Sequence, residues 1–161
     1  MAQFAAKTDV TVSKSKAEIE AIVERYGAAQ FMSGWNADQA LIAFTMEGRQ
    51  IKFILPMPAR DNRDFTHHTK GPRTPEAALK LWEQACRQRW RALALVIKAK
   101  LEAVESGISV FEDEFMANIV LPGGRTVSEE VRPLIASAYE TGQVQPLLAD
   151  YSTQGEERCG N

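Results

Sequence analysis

The chain has 161 residues, of which 45% are hydrophobic and 25% are charged, and its formal net charge is −2. This length fits one ordinary globular domain that buries about two-thirds of its unfolded surface. No apolar run approaches the roughly 18 residues that span a bilayer, and the first residues lack the basic and then apolar pattern of a signal peptide. The sequence therefore predicts a cytoplasmic protein without a membrane segment. Its two cysteines, Cys86 and Cys159, are too few for a disulfide framework and are predicted to be reduced thiols.

The small net charge conceals three segments of different sign. Residues 1–48 carry 4 basic and 6 acidic side chains, residues 49–100 carry 12 and 4, and residues 101–161 carry 3 and 11, so the net charges are −2, +8 and −8. A segment with a charge of +8 can form the local positive field of a nucleic-acid-binding surface if its charges share one face. The acidic last third could equally fold back and neutralise it.

The first predicted element is a helix that follows a flexible N-terminus at residues 1–12. Ser15 and Glu18 have the spacing of a capping box, and Gly27 is suited to end the helix. The apolar positions between them recur at helical spacing, so one face of this helix is expected to pack on a core.

A β-hairpin is predicted next. The stretches ALIAFTM and RQIKFIL flank Glu47 and Gly48, which form a two-residue connection. If Met46 pairs with Arg49, one face of the hairpin becomes apolar and the other can face water. The apolar cross-strand pairs are then Phe44 with Ile51, Ile42 with Phe53, and Ala40 with Leu55. The preceding stretch QFMSGW is a candidate third strand, which gives a small antiparallel sheet.

A long helix follows a segment without periodicity. The stretch PMPARDNRDFTHHTKGPR contains three prolines, and residues 57–73 predict a long mobile loop. Thr74 then caps a helix with Pro75 at its first position, and the apolar pattern continues to Ser106, with Gly107 as the stop. Such a helix is roughly 48 Å long at 1.5 Å per residue.

The C-terminal third predicts shorter elements. VFEDEFMANI is expected to form a short helix, LPGG a turn, and Thr126 to Gly142 a last helix that is interrupted at Pro133. A flexible tail is predicted at residues 150–161. Together the elements predict an α+β fold: an N-terminal helix, a small antiparallel sheet with a hairpin, one long helix packed on the sheet, and short C-terminal helices, all in a single globular domain at 13–149.

Two surfaces of the long helix follow from its 100° turn per residue. An apolar seam would form either core or a partner surface of a homo-oligomer; it contains Leu79, Trp82, Cys86, Trp90, Leu93, Ile97, Leu101 and Val104. On one flank of the seam runs a set of basic residues that we call the basic ridge; it consists of Lys80, Arg87, Arg91 and Lys98. Arg89 and Lys100 fall inside the apolar arc, where an unpaired charge would be costly.

The basic ridge has two interpretations. It can be a solvated helix face, with Arg89 and Lys100 reaching water or pairing with Glu112, Asp113 or Glu114. Alternatively it tracks the phosphates of a nucleic acid. In that case it would be joined by basic residues of the hairpin and the loop, namely Arg49, Lys52, Arg60, Arg63, Lys70 and Arg73. Trp35 and Phe65 would then stack on bases, although the first could instead close the core and the second anchor the loop.

Residues with catalytic or metal-binding chemistry do not form a recognisable site. Asp61, Asp64, His67 and His68 lie on the loop without the helical or turn spacing that preorganises a metal site. LPGGR lacks the Lys-Ser/Thr that completes a phosphate-binding glycine loop, and Cys86 has no histidine within helical reach. The sequence therefore nominates no catalytic residue, metal or cofactor, and it favours a protein that is not an enzyme.

Four stretches resemble a family of small uncharacterised proteins encoded by tailed phages and prophages. They are ERYGAAQFMSGW, the hairpin ending in KFILPMP, WEQACRQRWRALALVIKAKLEAVESGIS, and LPGGRTVSEEVRP, and the resemblance covers most of residues 13–148. It implies the cytoplasm of an infected host and a role in phage DNA metabolism or in countering the host. In element order alone, strands followed by a long basic helix also resemble the core of phage single-strand annealing proteins.

Two function hypotheses result. The first is a non-enzymatic nucleic-acid-binding phage protein, oligomeric through part of the seam, that holds single-stranded DNA in replication, recombination or annealing along the basic ridge and the loop arginines. The second is an anti-defence protein that binds and inhibits a host nuclease or defence complex. It would act as a polyanion mimic through the acidic last third, namely Glu102, Glu105, Glu112, Asp113 and Glu114.

Overall fold

The elements alternate in the order predicted for an α+β protein. A computed structural model describes residues 7–144 and the single positions 5 and 146. The predicted tail at 150–161 and most of residues 1–6 therefore lie outside the described residues. The elements are α1 (Val12–Arg25), β1 (Gln30–Trp35), β2 (Gln39–Met46), β3 (Arg49–Pro56), α2 (Arg63–Thr66), β4 (His67–His68), β5 (Gly71–Pro72), α3 (Pro75–Glu105), α4 (Phe111–Phe115), a 3-10 turn (Met116–Asn118) and α5 (Val127–Thr141).

Helix α1 begins earlier than its sequence predicted. Its N-cap is Thr11, whose hydroxyl accepts a hydrogen bond from the Lys14 amide at 3.2 Å. Ser15 lies inside the helix with a buried side chain, and Glu18 reaches another helix, so the predicted capping box at these two residues is wrong. The end of the helix is as predicted, because Gly27 takes a φ of +95° that favours glycine.

The hairpin has the predicted register throughout, and the predicted third strand is formed. Strands β1, β2 and β3 are antiparallel in that order, with Met46 opposite Arg49 and Phe44 opposite Ile51. QFMSGW forms β1, and it pairs along β2 from Gln30 to Trp35. The hairpin turn places both Glu47 (φ +49°) and Gly48 (φ +70°) in the left-handed region, as a two-residue turn requires.

The segment 57–73 contains regular structure that its sequence did not predict. Helix α2 is capped by Asn62, whose side chain accepts from the Asp64 amide at 3.0 Å, and β4 and β5 form a short hairpin. The prediction of a loop without regular structure is therefore wrong, because the Asn62 cap and the turn at residues 69–70 order short elements that have no periodicity. Its mobility stays a prediction.

Helix α3 covers the apolar face of the sheet. Thr74 caps it by accepting from the Ala77 amide at 3.3 Å, and Gly107 ends it, as predicted. The middle of the seam is core: Cys86, Trp90, Leu93, Ile97 and Leu101 are buried. The seam is therefore not available as the surface of a homo-oligomer over those residues. Across the core, the rings of Phe44, Phe53 and Phe115 pack within 6.4 Å of one another between centroids.

The C-terminal segment returns to the sheet and then leaves it. Ile119 bridges to Ile51 on the free edge of β3, and the Val120 amide donates to the Gln50 carbonyl at 2.8 Å. Helix α5 then starts with a capping box at Thr126 and has no buried residue. It runs without a break through Pro133, so the predicted interruption is wrong.

Candidate nucleic-acid interface

The basic ridge is not an open face, because α1 lies along it. Arg91 forms an ion pair with Glu18 of α1. Further along the same flank, the Tyr26 hydroxyl donates to the Glu102 carboxylate at 2.7 Å, and the Gln84 side chain donates to the Thr8 carbonyl at 3.0 Å. The continuous phosphate-tracking surface expected from helical geometry is therefore not formed, since the sequence did not indicate on which flank α1 would pack.

The ridge residues differ in how far they are engaged. Arg87 is half-buried and donates twice to the Gln84 side-chain oxygen, at 3.0 and 2.6 Å. Lys80 and Lys98 are exposed, and within the described part of the chain neither side chain has an ion pair or hydrogen bond. Only the two ends of the basic ridge thus remain open to an anion.

Both basic residues of the hairpin are tied to the C-terminal elements. The Lys52 ammonium group donates to the Glu129 carboxylate at 3.2 Å and to the Gly124 carbonyl at 3.1 Å. Arg49 lies 3.9 Å from the Glu112 carboxylate. Lys52 therefore has a structural role at the start of α5, although the sequence predicted a phosphate contact.

The basic residues of segment 57–73 differ in how far they are engaged by the rest of the protein. Arg60 lies over the ring of Trp82 at 5.0 Å, and the Arg73 side chain donates to the His67 carbonyl at 3.0 Å. Arg63 and Lys70 are exposed, and the described residues offer their side chains no ion pair or hydrogen bond. These positions form the most open basic surface among the predicted site residues.

The two basic residues inside the apolar arc are satisfied in different ways. Arg89 donates to the Pro56 carbonyl. Lys100 donates to the Glu114 carbonyl, lies 3.5 Å from the Glu114 carboxylate, and lies over the Phe115 ring. The predicted pairing of Lys100 with the acidic turn is confirmed, whereas Arg89 bonds to backbone and not to an acid.

All three tryptophans of the chain meet at one end of the layer between sheet and α3. They line a cleft of about 320 Å³, which we call the tryptophan cleft; it is bounded by Val12, Lys16, Trp35, Asn36, Ala37, Ala40, Met57, Trp82, Cys86 and Trp90. Trp90 is only 2% exposed and forms the inner wall. The indole N–H of Trp82 donates to the Pro58 carbonyl at 2.8 Å, which fixes the orientation of that ring.

Trp35 is the most unusual wall of this cleft. It pairs with Ala40, which is buried, so its side chain projects from the core face of the sheet, yet it is 77% exposed. The turn below it is braced, because the Asn36 side chain accepts from the amides of Asp38 and Gln39, both at 2.9 Å. A large aromatic ring thus stands beside a hydrogen-bonded turn and is left mostly uncovered by the described residues, which favours stacking over the alternative that Trp35 closes the core.

The charge at the cleft is positive. The Lys16 ammonium group lies 4.7 Å from the centroid of the Trp90 ring, and Arg60 covers Trp82. Among the described residues that line the cleft, none is acidic. Burial raises the pKa of the Cys86 thiol, so this wall is an inert apolar surface at neutral pH. The cleft suits a flat ring attached to an anion.

Sequence reasoning found only part of this site. It singled out Trp35, but it assigned Trp82 and Trp90 to the apolar seam and gave Lys16 no role. Phe65, the second predicted stacking residue, is half-buried and lines a separate cleft with Ala85 of α3, as expected of a loop anchor. The sequence did contain one signal for the cleft. The chain has only three tryptophans, and two of them lie eight residues apart on one predicted helix.

No family model, curated protein or solved structure matches the chain. Of the helices in the part of the chain that the structure describes, none has the length and apolarity to cross a membrane. Residues 7–144 likewise contain no group of three or more His, Cys, Asp or Glu side chains that could hold a metal ion.

Proposed function

We propose that the protein binds single-stranded nucleic acid, DNA in the first instance, without an enzymatic activity. The observation that carries this proposal is Trp35, an exposed ring on the core face of the sheet that lines the tryptophan cleft together with Lys16. Proteins that hold single strands combine aromatic platforms with cations that follow the backbone. Duplexes keep their bases stacked inside, so the same platform favours unpaired strands.

The backbone of the strand would follow exposed cations of segment 57–73 and of the first turns of α3. Arg63, Lys70 and Lys80 are predicted site residues of these two elements that are exposed and have no described partner. Arg87, Arg91 and Lys52 contribute less, because each is already engaged with a side chain of the protein. Residues 57–91 together carry eight basic and four acidic side chains, which favours a local positive field.

We also propose the biological setting that the sequence resemblance implies. The protein would act in the host cytoplasm during phage infection, in DNA replication, recombination or annealing. A host or phage protein partner and a homo-oligomer belong to the same proposal. Because the buried seam is unavailable, an oligomer would use a surface other than the middle of α3.

The test is fluorescence anisotropy with a labelled dT oligomer and a labelled duplex across a salt series. We expect tighter binding to the single strand and a steep loss of affinity with salt. The double variant Arg63→Glu with Lys70→Glu should weaken binding and reduce the salt slope by about one unit or less per lost phosphate contact. Arg132→Glu on α5 is a charge-reversal control at an exposed position outside the predicted site, to be compared with each single variant. Flat titrations at low salt from the folded protein would refute the proposal.

The alternative is an anti-defence protein that uses the acidic last third as a polyanion mimic. Three of its five proposed residues are paired within the protein: Glu102 with Arg25, Glu112 with Arg49, and Glu114 with Lys100. Internal pairing reduces the field that a basic partner would meet. Glu105 and Asp113 alone remain without a described ion pair, so this alternative has weaker support than nucleic-acid binding.

A further inference from the structure

We infer that the tryptophan cleft accepts one unpaired base of a bound strand, which stacks on Trp35 with its phosphate beside Lys16. This inference rests on the proposed function and deepens it, because it states how the protein distinguishes unpaired from paired nucleic acid. It also separates two roles: the exposed cations hold the backbone of any strand, and the cleft requires a free base.

The walls of the cleft define its occupant. The volume of about 320 Å³ lies at the lower end of the range of about 300 to 1,000 Å³ for small-ligand sites, so it suits one ring system and not a longer stretch of strand. Trp35 offers a ring face that no described residue covers, and Met57 and Ala37 supply apolar contacts at the edges. A base is the flat ring that a polyanion delivers to such a surface.

The charges select an anion and disfavour a cation. Aromatic cages also bind quaternary ammonium groups, but such cages need free ring faces. Here Lys16 lines the cleft and already lies over Trp90, and Arg60, outside the cleft lining, lies over Trp82. A second cation would be repelled, whereas the phosphate attached to a stacked base would gain a charge-assisted contact with the Lys16 ammonium group.

The experiment uses the full chain and a dT oligomer that carries one 2-aminopurine, whose emission is quenched when it stacks on indole. We expect binding to quench this emission in the wild-type protein. Trp35→Ala should remove the quenching and lower the affinity roughly 5- to 150-fold, the range expected for one stacked base. Trp35→Phe should restore most of the affinity. Tyr139→Ala, which removes a ring that is 90% exposed on α5, is the matched control and should change neither quantity.

A second pair of variants tests the cation. Lys16→Glu should reduce both affinity and quenching, whereas Lys14→Glu, an exposed position on the same helix, should reduce affinity only slightly. Circular dichroism would check that all variants are folded. A titration with thymidine monophosphate alone should give weak quenching of tryptophan fluorescence; tight binding would assign the cleft to a free nucleotide and overturn the inference.

The two proposals fail in different ways. If anisotropy rises on binding but the 2-aminopurine emission is unchanged, or if its quenching survives Trp35→Ala, the cleft does not hold a base and only this inference falls. If anisotropy does not change at low salt, nucleic-acid binding itself fails and the inference falls with it.

Discussion

At the scale of single residues, Glu129 connects more of the C-terminal structure than any neighbouring side chain on α5. Its carboxylate accepts from the Thr126 amide at 2.6 Å, from the Thr126 hydroxyl at 3.0 Å and from the Lys52 ammonium group at 3.2 Å. The hydrogen bond from the Thr126 amide is the main reason that the pKa of Glu129 lies below its ordinary value, and Lys52 adds to the effect.

This lowered pKa predicts the pH dependence of stability. A lowered pKa in the folded state means that the ionised carboxylate stabilises the fold, fully above the unfolded pKa of about 4.3 and progressively less as pH falls through the folded value. We expect Glu129→Gln, which keeps the acceptor of the capping box but removes its charge, to lose on the order of 0.5 kcal/mol at pH 7, and to show a shallower loss of stability on acidification than wild type. Urea unfolding at pH 7 and at acidic pH measures both; Glu140→Gln, on the same helix, should follow the wild-type profile. Parallel profiles for Glu129→Gln and wild type would contradict the prediction.

At the scale of elements, α5 shows how a helix can continue through a proline. Pro133 has no amide hydrogen for the carbonyl of Glu129, four residues before it. The Arg125 guanidinium group donates to that carbonyl instead, at 2.7 Å, and it also pairs with Glu130 at 3.1 Å. The arginine that precedes the capping box thus replaces the missing backbone hydrogen bond.

A double-mutant cycle tests this replacement. Arg125→Ala should destabilise α5 by about 0.5 to 1.5 kcal/mol, the net value of a typical hydrogen bond. In a Pro133→Ala background the backbone amide can serve the same carbonyl, so the cost of Arg125→Ala should fall. Native-state hydrogen exchange of the α5 amides is the measurement. Equal costs in the two backgrounds would show that Arg125 acts only through Glu130.

Some of the helices and strands could be predicted from the sequence and others could not. The hairpin and α3 were predictable because their signals are local: a two-residue turn fixes the register of a strand pair, and Thr74 with Pro75 marks a helix start. The start of α1 was not, because Ser15 and Glu18 match the spacing of a capping box while Thr11 occupies the cap. The continuation of α5 depended on a side chain outside the helix, which no periodicity reveals.

At the scale of the molecule, the tryptophan cleft could not be predicted from the sequence, because it depends on which helices and strands pack against one another. The packing of α1 on α3 placed Glu18 beside Arg91 and Lys16 beside Trp90, and it thereby closed the basic ridge and formed one wall of the tryptophan cleft. Neither neighbour is close in sequence to its partner. Local patterns therefore gave the charges and the rings, and only the tertiary contacts gave the surface on which they act.

Helix α3 contributes buried residues to the core, whereas α5 has none, so the same substitution should have different effects on the two helices. Ile97 of α3 is 0% exposed in the hydrophobic core, whereas Ile135 of α5 is 47% exposed. Ile97→Ala should cost about 2 to 5 kcal/mol of unfolding free energy, since it leaves a cavity in the hydrophobic core. Ile135→Ala removes the same atoms at the surface and should stay within about 0.5 kcal/mol of wild type. Urea unfolding followed by tryptophan fluorescence measures both. A large loss for Ile135→Ala would mean that α5 is packed as part of the core, because only burial makes the same deletion costly.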